Sequence, residues 1–257
     1  MSDPLLALAL FAVLVIALAA IVWPGRGLLA RIQRGRLAHE RVQMEDALKH
    51  LFKCEYRAQT PTLVSVAGAL ESGQASAAET LERLRDAGLV QPTDTMQLTG
   101  DGRTYALRII RTHRLWERYL ADRTGVAPGE WHERAEHQEH FLSEAEVDRL
   151  DQRLGKPRYD PHGDPIPTSS GELVLPSGRP LASLDPGDEA VITHLEDEPR
   201  ALYDRLLEAG MSPGMRLRMV EPAEGGVRIS ANGRVLELDT MAAGNVTSDR
   251  AATSTAS

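Results

Sequence analysis

Cysteine is almost missing from this chain: among 257 residues there is one, Cys54. That excludes an intrachain disulfide framework and any zinc site built on thiolates. Aromatic residues make up only 4%, too few for the stacking platforms that hold single-stranded nucleic acid. Positive charge is outnumbered, 29 Lys and Arg against 37 Asp and Glu, so the formal net charge of −8 excludes a uniformly basic nucleic-acid binder, though not a local basic face. No phosphate-binding glycine loop, dinucleotide fingerprint or nucleophile elbow occurs, and the chain reads as a non-enzyme. At 42% hydrophobic and 26% charged residues, it is neither disordered throughout nor a polytopic membrane protein.

One segment departs from these averages. Leu5 to Trp23 carries no charge, and Arg26, Arg31, Arg34 and Arg36 come directly after it. A helix of that length nears the roughly 30 Å of a bilayer's hydrocarbon. The arginines place the chain beyond Pro24 in the cytoplasm. The expectation is a single-pass anchor over residues 1–24 in the inner membrane, spanning at 5–23, with a basic juxtamembrane segment over 25–40. A cleaved signal peptide is the alternative, helped by Ala17, Ala19 and Ala20 but opposed by the missing basic n-region.

Charge is unevenly spread beyond that point. Pro24 to Thr60 carries eight basic and four acidic residues, a net of +4, and everything from Pro61 onward nets −11. The basic collar stands where anionic lipid headgroups would meet it. Apolar residues at 44, 47, 48, 51 and 52 give Arg41 to Tyr56 a helical spacing. Thr60-Pro61 offers a cap and first position for a helix over Thr62–Leu70, and Ser76–Ala87 predicts a second, stopped by Gly88. Two short strands, Leu89-Val90 and Met96–Leu98, complete a winged helix-turn-helix pattern over 41–112. A long helix runs from Gly102 to about Gly125, and Glu130–Phe141 and Ser143–Leu154 are two more, within a helical region over 113–155. Ser143 with Glu146 makes a capping box. Residues 156–185 read as a proline-rich linker. Strands at Ala190–Ile192, Arg216–Val220, Val227–Ser230 and Val235–Leu238, with a helix over Pro199–Ala209, fit a five-stranded SH3-like barrel over 186–249. Residues 250–257 read as a disordered tail. The fold class is mainly α with a small β domain.

Histidine and carboxylate recur at helical spacing in the middle of the chain. His113 and Glu117 are one turn apart, and His132, Glu136, Glu139 and His140 share a face of the next helix. Imidazole and carboxylate without sulfur suit Mn²⁺ or Fe²⁺, with Zn²⁺ also compatible. Solvated faces of helices rich in Glu, Arg and His are the alternative reading. His39, His50, His137, His162 and His194 show no such pattern.

The stretches RTHRLWERYL (Arg111–Leu120), WHERAEHQEHFLSEAEVDRL (Trp131–Leu150) and DPHGDPIP (Asp160–Pro167), in that order, resemble the diphtheria-toxin-repressor family of metal-dependent transcriptional regulators. The resemblance covers about residues 41–249. LASLDPG (Leu181–Gly187) and RLLEAGMSPG (Arg205–Gly214) make the last domain similar to small FeoA-like proteins of ferrous-iron uptake. The resemblance implies a homodimer that binds double-stranded DNA through its winged helices. It implies a primary metal site at Glu136, Glu139 and His140, completed by Asp46 from QMEDALKH, and an ancillary site at His113, Glu117 and His132. Lys49 stands where manganese-responsive members often carry another acid, and Glu136 where iron-responsive members carry cysteine. The implied ion orders the winged helices for DNA.

The winged region itself argues less for DNA. From Pro61 to Gln91, Arg83 and Arg85 face four acids, a net of −2, where phosphate contact needs cations. Ser76, Thr80 and Arg83 are the expected DNA contacts. These observations support two functions. The first is a membrane-tethered, metal-dependent regulator, a repressor that senses Mn²⁺ or Fe²⁺. The second is a metal-sensing adaptor that regulates an iron or manganese transporter through its FeoA-like domain.

Overall fold

The structure, a computed structural model, describes residues 4–23, 25–93, 95–174 and 178–250. The chain divides into two compact units, 1–106 and 107–257, and the division falls inside one helix.

In the first unit the apolar run forms α1 (Pro4–Val22), with Leu10, Phe11, Leu14, Ile16 and Leu18 exposed. Among the described residues no helix is long and apolar enough to cross a membrane. The anchor over 5–23, the inner-membrane placement and the membrane as a partner are corrected accordingly. Gly27 then turns the chain, since a Cβ there would meet backbone atoms of Ile21 and Trp23 at 2.6 to 2.8 Å.

From that corner α2 (Leu28–Tyr56) runs unbroken, so the basic segment belongs to the helix expected to begin at Arg41. Leu, Ala, Arg and Gln in its first turns are good helix formers and carry it past Gly35. Next comes α3 (Leu63–Ala69), capped by Thr62 and not by Thr60: Thr62 Oγ1 accepts from Ser65 N, and Ser65 Oγ accepts from Thr62 N. The turn at 71–73 leads into α4 (Gln74–Asp86). The expected wing reduces to one antiparallel bridge, Val90 to Leu98. Leu48 and Leu51 of α2, Val66 of α3 and Leu81 and Leu84 of α4 bury together with Val90 and Leu98 as this unit's core. Burying such side chains contributes about 1.5–3 kcal/mol each. The Thr99 hydroxyl then accepts from Gly102 N at the start of α5 (Gly100–Arg123).

The second unit begins within α5 and continues through α6 (Trp131–Glu139) and α7 (Glu144–Leu154). The Ser143–Glu146 capping box opens α7, and left-handed Gly155 (φ +80°) ends it. Arg111 ties α5 to α7 through Asp148 at 3.0 Å and Asp151 at 2.9 Å. Residues 156–174, expected as linker, hold a compact loop. Asp160 Oδ1 accepts from the backbone N–H groups of His162 and Asp164, and Arg114 donates to the Pro165 carbonyl.

An antiparallel sheet comes next, built from β1 (Arg179–Pro180), β2 (Glu189–Leu195), β3 (Arg216–Ala223), β4 (Gly226–Ala231), β5 (Arg234–Asp239) and β6 (Val246–Arg250). Its order is β1-β6-β2-β3-β4-β5, with α8 (Arg200–Glu208) between β2 and β3 and α9 (Thr240–Gly244) between β5 and β6. Asn232 and Gly233, both at positive φ, form the tight β4–β5 turn that their residue types favour. The sheet has six strands where five were expected. Asp239 caps α9 by accepting from Ala242 N, which turns the chain back so that β6 pairs with β2. Arg250 ends that strand, and the rest of the expected tail, 251–257, lies outside the described residues. Inward residues alternate along β3 and β4 and pack on Leu202, Tyr203 and Leu206 of α8. The Asp160–Pro167 loop docks on this domain. Gly163, at φ +98°, lies so close to Thr193 of β2 that no side chain fits there, and Leu195 N donates to the His162 carbonyl.

Candidate metal centre

Glu117 sits at the middle of a histidine cluster and is 1% exposed. On α5 the spacing of four puts His113 over it, Nε2 lying 3.1 Å from Glu117 Oε1. From α6, His132 Nδ1 lies 3.5 Å from the same oxygen, and from the Asp160–Pro167 loop His162 Nε2 lies 3.4 Å from it. One carboxylate oxygen thus faces three imidazoles supplied by three segments. The far side of His113 turns the other way, its Nδ1 2.6 Å from Glu139 Oε2. The sheet domain adds Asp197, just past β2, with Oδ2 2.9 Å from His132 Nδ1 but without the alignment of a hydrogen bond. Trp131 and Tyr203 flank the His162 ring at centroid distances of 5.9 and 5.0 Å.

Burial sets the electrostatics. It pulls His113 and His162 toward neutrality. The carboxylates beside them, Glu117 and Glu139 for the first and Glu117 with Asp160 for the second, overcome that and raise both to about 9. Burial likewise opposes the charge of His132, yet Asp197, Glu117 and Glu136 carry it up to about 12. Against its own burial, Glu117 is held well below the usual carboxylate range, by His113 first. Asp160 goes the other way: burial, and then the charges of Asp164 and Glu117, raise it to about 8. Protons therefore occupy these imidazoles in the absence of an ion, and a divalent cation must displace them to reach the ring nitrogens around the charged Glu117.

Two triads have ligand atoms all within 4.8 Å of one another in this unit: His113, Glu117 and His132, and Glu117, His162 and Asp197. Neither ring nitrogen of buried His162 has a hydrogen-bond partner among the described residues. A buried polar group left that way costs roughly 1–3 kcal/mol, a cost that an ion bound to it would remove. The donors fit Mn²⁺, Fe²⁺ or Zn²⁺, all of which accept imidazole and carboxylate.

The structure brings His113, Glu117, His132 and Glu139 together. Glu136 lies at the rim, 3.5 Å from His132, and the His140 ring lies 3.6 Å from Glu139. Asp46 is on α2 in the first unit, half-buried next to buried Glu45, which accepts from the Tyr105 hydroxyl. His162 and Asp197 stand outside any helical spacing. The signal for His162 was its place inside DPHGDPIP. For Asp197 there was only an acidic run, Glu196 to Glu198, in a loop with no periodicity. On α4, Ser76 is half-buried. Thr80 is buried, with its hydroxyl bonded to the Ser76 carbonyl. Arg83 pairs with Glu79 at 2.7 Å and Glu40 at 3.4 Å.

Comparison with known proteins accords with this geometry. Residues 99–168 match the metal binding and dimerisation domain of iron dependent repressors, and residues 179–248 match the FeoA domain. The chain is 30% identical over 200 residues to the iron-dependent repressor IdeR of Mycobacterium leprae, covering 71% of this chain and 85% of that protein. It is 27% identical over 203 residues to the diphtheria toxin repressor of Corynebacterium diphtheriae, covering 74% and 89%. A solved manganese-dependent transcriptional repressor in complex with manganese superposes with a TM-score of 0.74 at 30% identity, covering 81% of this chain and all of that one. Over 70 residues, 27% of its length, the chain is 41% identical to a probable metal transport system membrane protein of Chlamydia trachomatis but covers 16% of that protein, too small a share to support a transporter-adaptor role. These full-length relatives are repressors and not enzymes. With that coverage and its histidine–carboxylate centre, the chain belongs to the family of metal-dependent transcriptional repressors that includes IdeR and the diphtheria toxin repressor.

Proposed function

We propose that the protein is a homodimeric repressor whose grip on double-stranded DNA is switched by Mn²⁺ or Fe²⁺, and that the buried cluster around Glu117 is one of the ion's seats. The observation that carries this reading is one charged, buried carboxylate oxygen within 3.5 Å of ring nitrogens from His113, His132 and His162. In this reading His113, Glu117, His132, His162 and Asp197 form one ligand set. Glu136, Glu139, His140 and Asp46 form the other, the latter by family resemblance. The ion supplies positive charge that lets these donors face one another without mutual repulsion. His113 serves both sets, since one ring nitrogen meets Glu117 and the other Glu139. Asp197 and His162 tie the helical region to the sheet domain, and Asp46 would tie it to the winged helix. Loading therefore selects one arrangement of the DNA-binding helices. Ser76 and Arg83 are the α4 residues offered to DNA. Thr80 contributes by holding the helix surface.

The test is Mn²⁺- and Fe²⁺-dependent binding of the full chain to promoter DNA, repeated for Glu117→Gln. The reading expects the ion to strengthen binding in the wild type and to have at least tenfold less effect in the variant. Binding that ignores the ion in the wild type would overturn it.

A further inference from the structure

Residues 31–39 of α2 are exposed on every face, so among the described residues no neighbour packs on any side of this stretch. This part of the helix carries Arg31, Arg34 and Arg36, with Arg26 in the turn before it. No acid appears until Glu40. Among the described residues none of these arginines has an ion-pair partner. A helix segment of this kind gains nothing from burial, and its positive charge is free to meet a partner outside the unit.

Its position identifies the kind of contact. Glu40 lies 3.4 Å from Arg83 of α4, which places this part of α2 beside the helix offered to DNA. Arg36 is one turn before Glu40 on the same face of α2. Arg34 and Arg31 lie farther outward, Arg31 about 14 Å along the helix axis from Glu40. The winged region lacks what this arm has. Arg83 and Arg85, the cations of α4, are paired with Glu79, Glu40 and Glu82. Phosphate contact dominates affinity for duplex DNA and does not depend on sequence.

From these observations we infer that the N-terminal part of α2, through Arg31, Arg34 and Arg36, is a backbone-binding arm that lies along the phosphates of duplex DNA and supplies the charge that α4 lacks. The inference rests on the proposed DNA-binding function and deepens it. α4 reads the duplex, and the arm holds it. Arginine suits this task because its guanidinium fork bonds phosphate oxygens in pairs and stays charged at every working pH.

The probe is a mixed-sequence duplex of 30 base pairs, with the full chain, Mn²⁺ and salt varied from 50 to 200 mM. The wild type is compared with the triple variant Arg31→Gln/Arg34→Gln/Arg36→Gln and its Lys counterpart. Each phosphate contact contributes about 0.9 to the slope of log affinity against log salt, so the Gln variant should lose about two to three from the slope. That corresponds to a salt-induced loss of affinity roughly 40-fold smaller over this range. The Lys variant should keep most of the slope. Equal slopes for wild type and Gln variant, with Mn²⁺ dependence intact, overturn the arm and leave the proposed function standing. A slope difference without Mn²⁺ dependence sinks the metal switch and supports the arm. No binding by the wild type overturns both. Vesicles of phosphatidylserine in phosphatidylcholine test the other source of phosphate. If they retain the wild type but not the Gln variant while DNA slopes are equal, the arm belongs to lipid and the inference is wrong.

Discussion

Two helices carry the same sequence pattern, an acid and a basic residue four apart, and put it to opposite uses. On α4, Glu79 and Arg83 form an exposed pair that water would solvate equally well. On α5, His113 and Glu117 are buried and shared with two further histidines and a second acid. Exposed pairs of the first kind contribute about 0–1 kcal/mol. Buried ones cost several kcal/mol to desolvate and persist where something holds them in place. Spacing alone therefore does not distinguish a solvated face from a ligand set; burial and unmet hydrogen-bonding capacity do.

Removing the buried partner is the strongest way to break this contrast. Glu117→Ala strands three imidazoles around an empty centre and should lower apo stability by about 3–5 kcal/mol, read by urea denaturation. A loss under ~0.5 kcal/mol would put Glu117 in the same class as Glu79. Next in size is His162→Asn, which should weaken Mn²⁺ binding about tenfold or more in equilibrium dialysis with little change in apo fold. Unchanged affinity would remove the Asp160–Pro167 loop from the site.

The protons of the cluster sharpen the contrast further. His113 and His162 rise from 6.5 to about 9 in the folded apo protein. A raised pKa of this kind stabilises fully below about 6.5 and is lost as pH climbs toward 9. Apo stability should therefore decline across that window. Ion binding near pH 7.5 should displace protons from these rings, seen as a buffer-dependent heat in titration calorimetry. No buffer dependence would mean the rings are already neutral. The smallest expected effect is that of Glu79→Gln. It should change stability by less than about 0.5 kcal/mol, and by removing one of the two acids that pair with Arg83 it should steepen the salt slope of DNA binding by under one.

Much of the helical frame was legible because period, caps and breakers act locally. The Ser143–Glu146 box and the Asn232-Gly233 turn formed where their residue types require. Errors arose where a competing local bond decided. Thr62 outcompeted Thr60 as a cap through its exchange with Ser65, and α2 continued backward because nothing stopped it before Gly27. By composition the apolar run is that of a spanning anchor, yet among the described residues no helix is long and apolar enough to cross a membrane. At the centre, His113, Glu117, His132 and Glu139 could be found by period because helices repeat. His162 and Asp197 sit in loops, where position comes from long-range docking of the Gly163 turn on β2 and leaves no local trace. Thr80 shows the reverse error: a polar residue on a candidate reading helix that spends its hydroxyl on the backbone inside the core.

The central claim is that the imidazoles around Glu117 are ligands and not merely buried charge partners. Pulsed electron paramagnetic resonance of the Mn²⁺-loaded full chain tests it most directly, because nitrogen bound to the ion modulates the echo. Strong ¹⁴N modulation is expected in the wild type, weaker in His162→Asn and weaker still when His132→Asn is added. Tightly bound Mn²⁺ with no nitrogen modulation, or modulation unchanged by both substitutions, would contradict it.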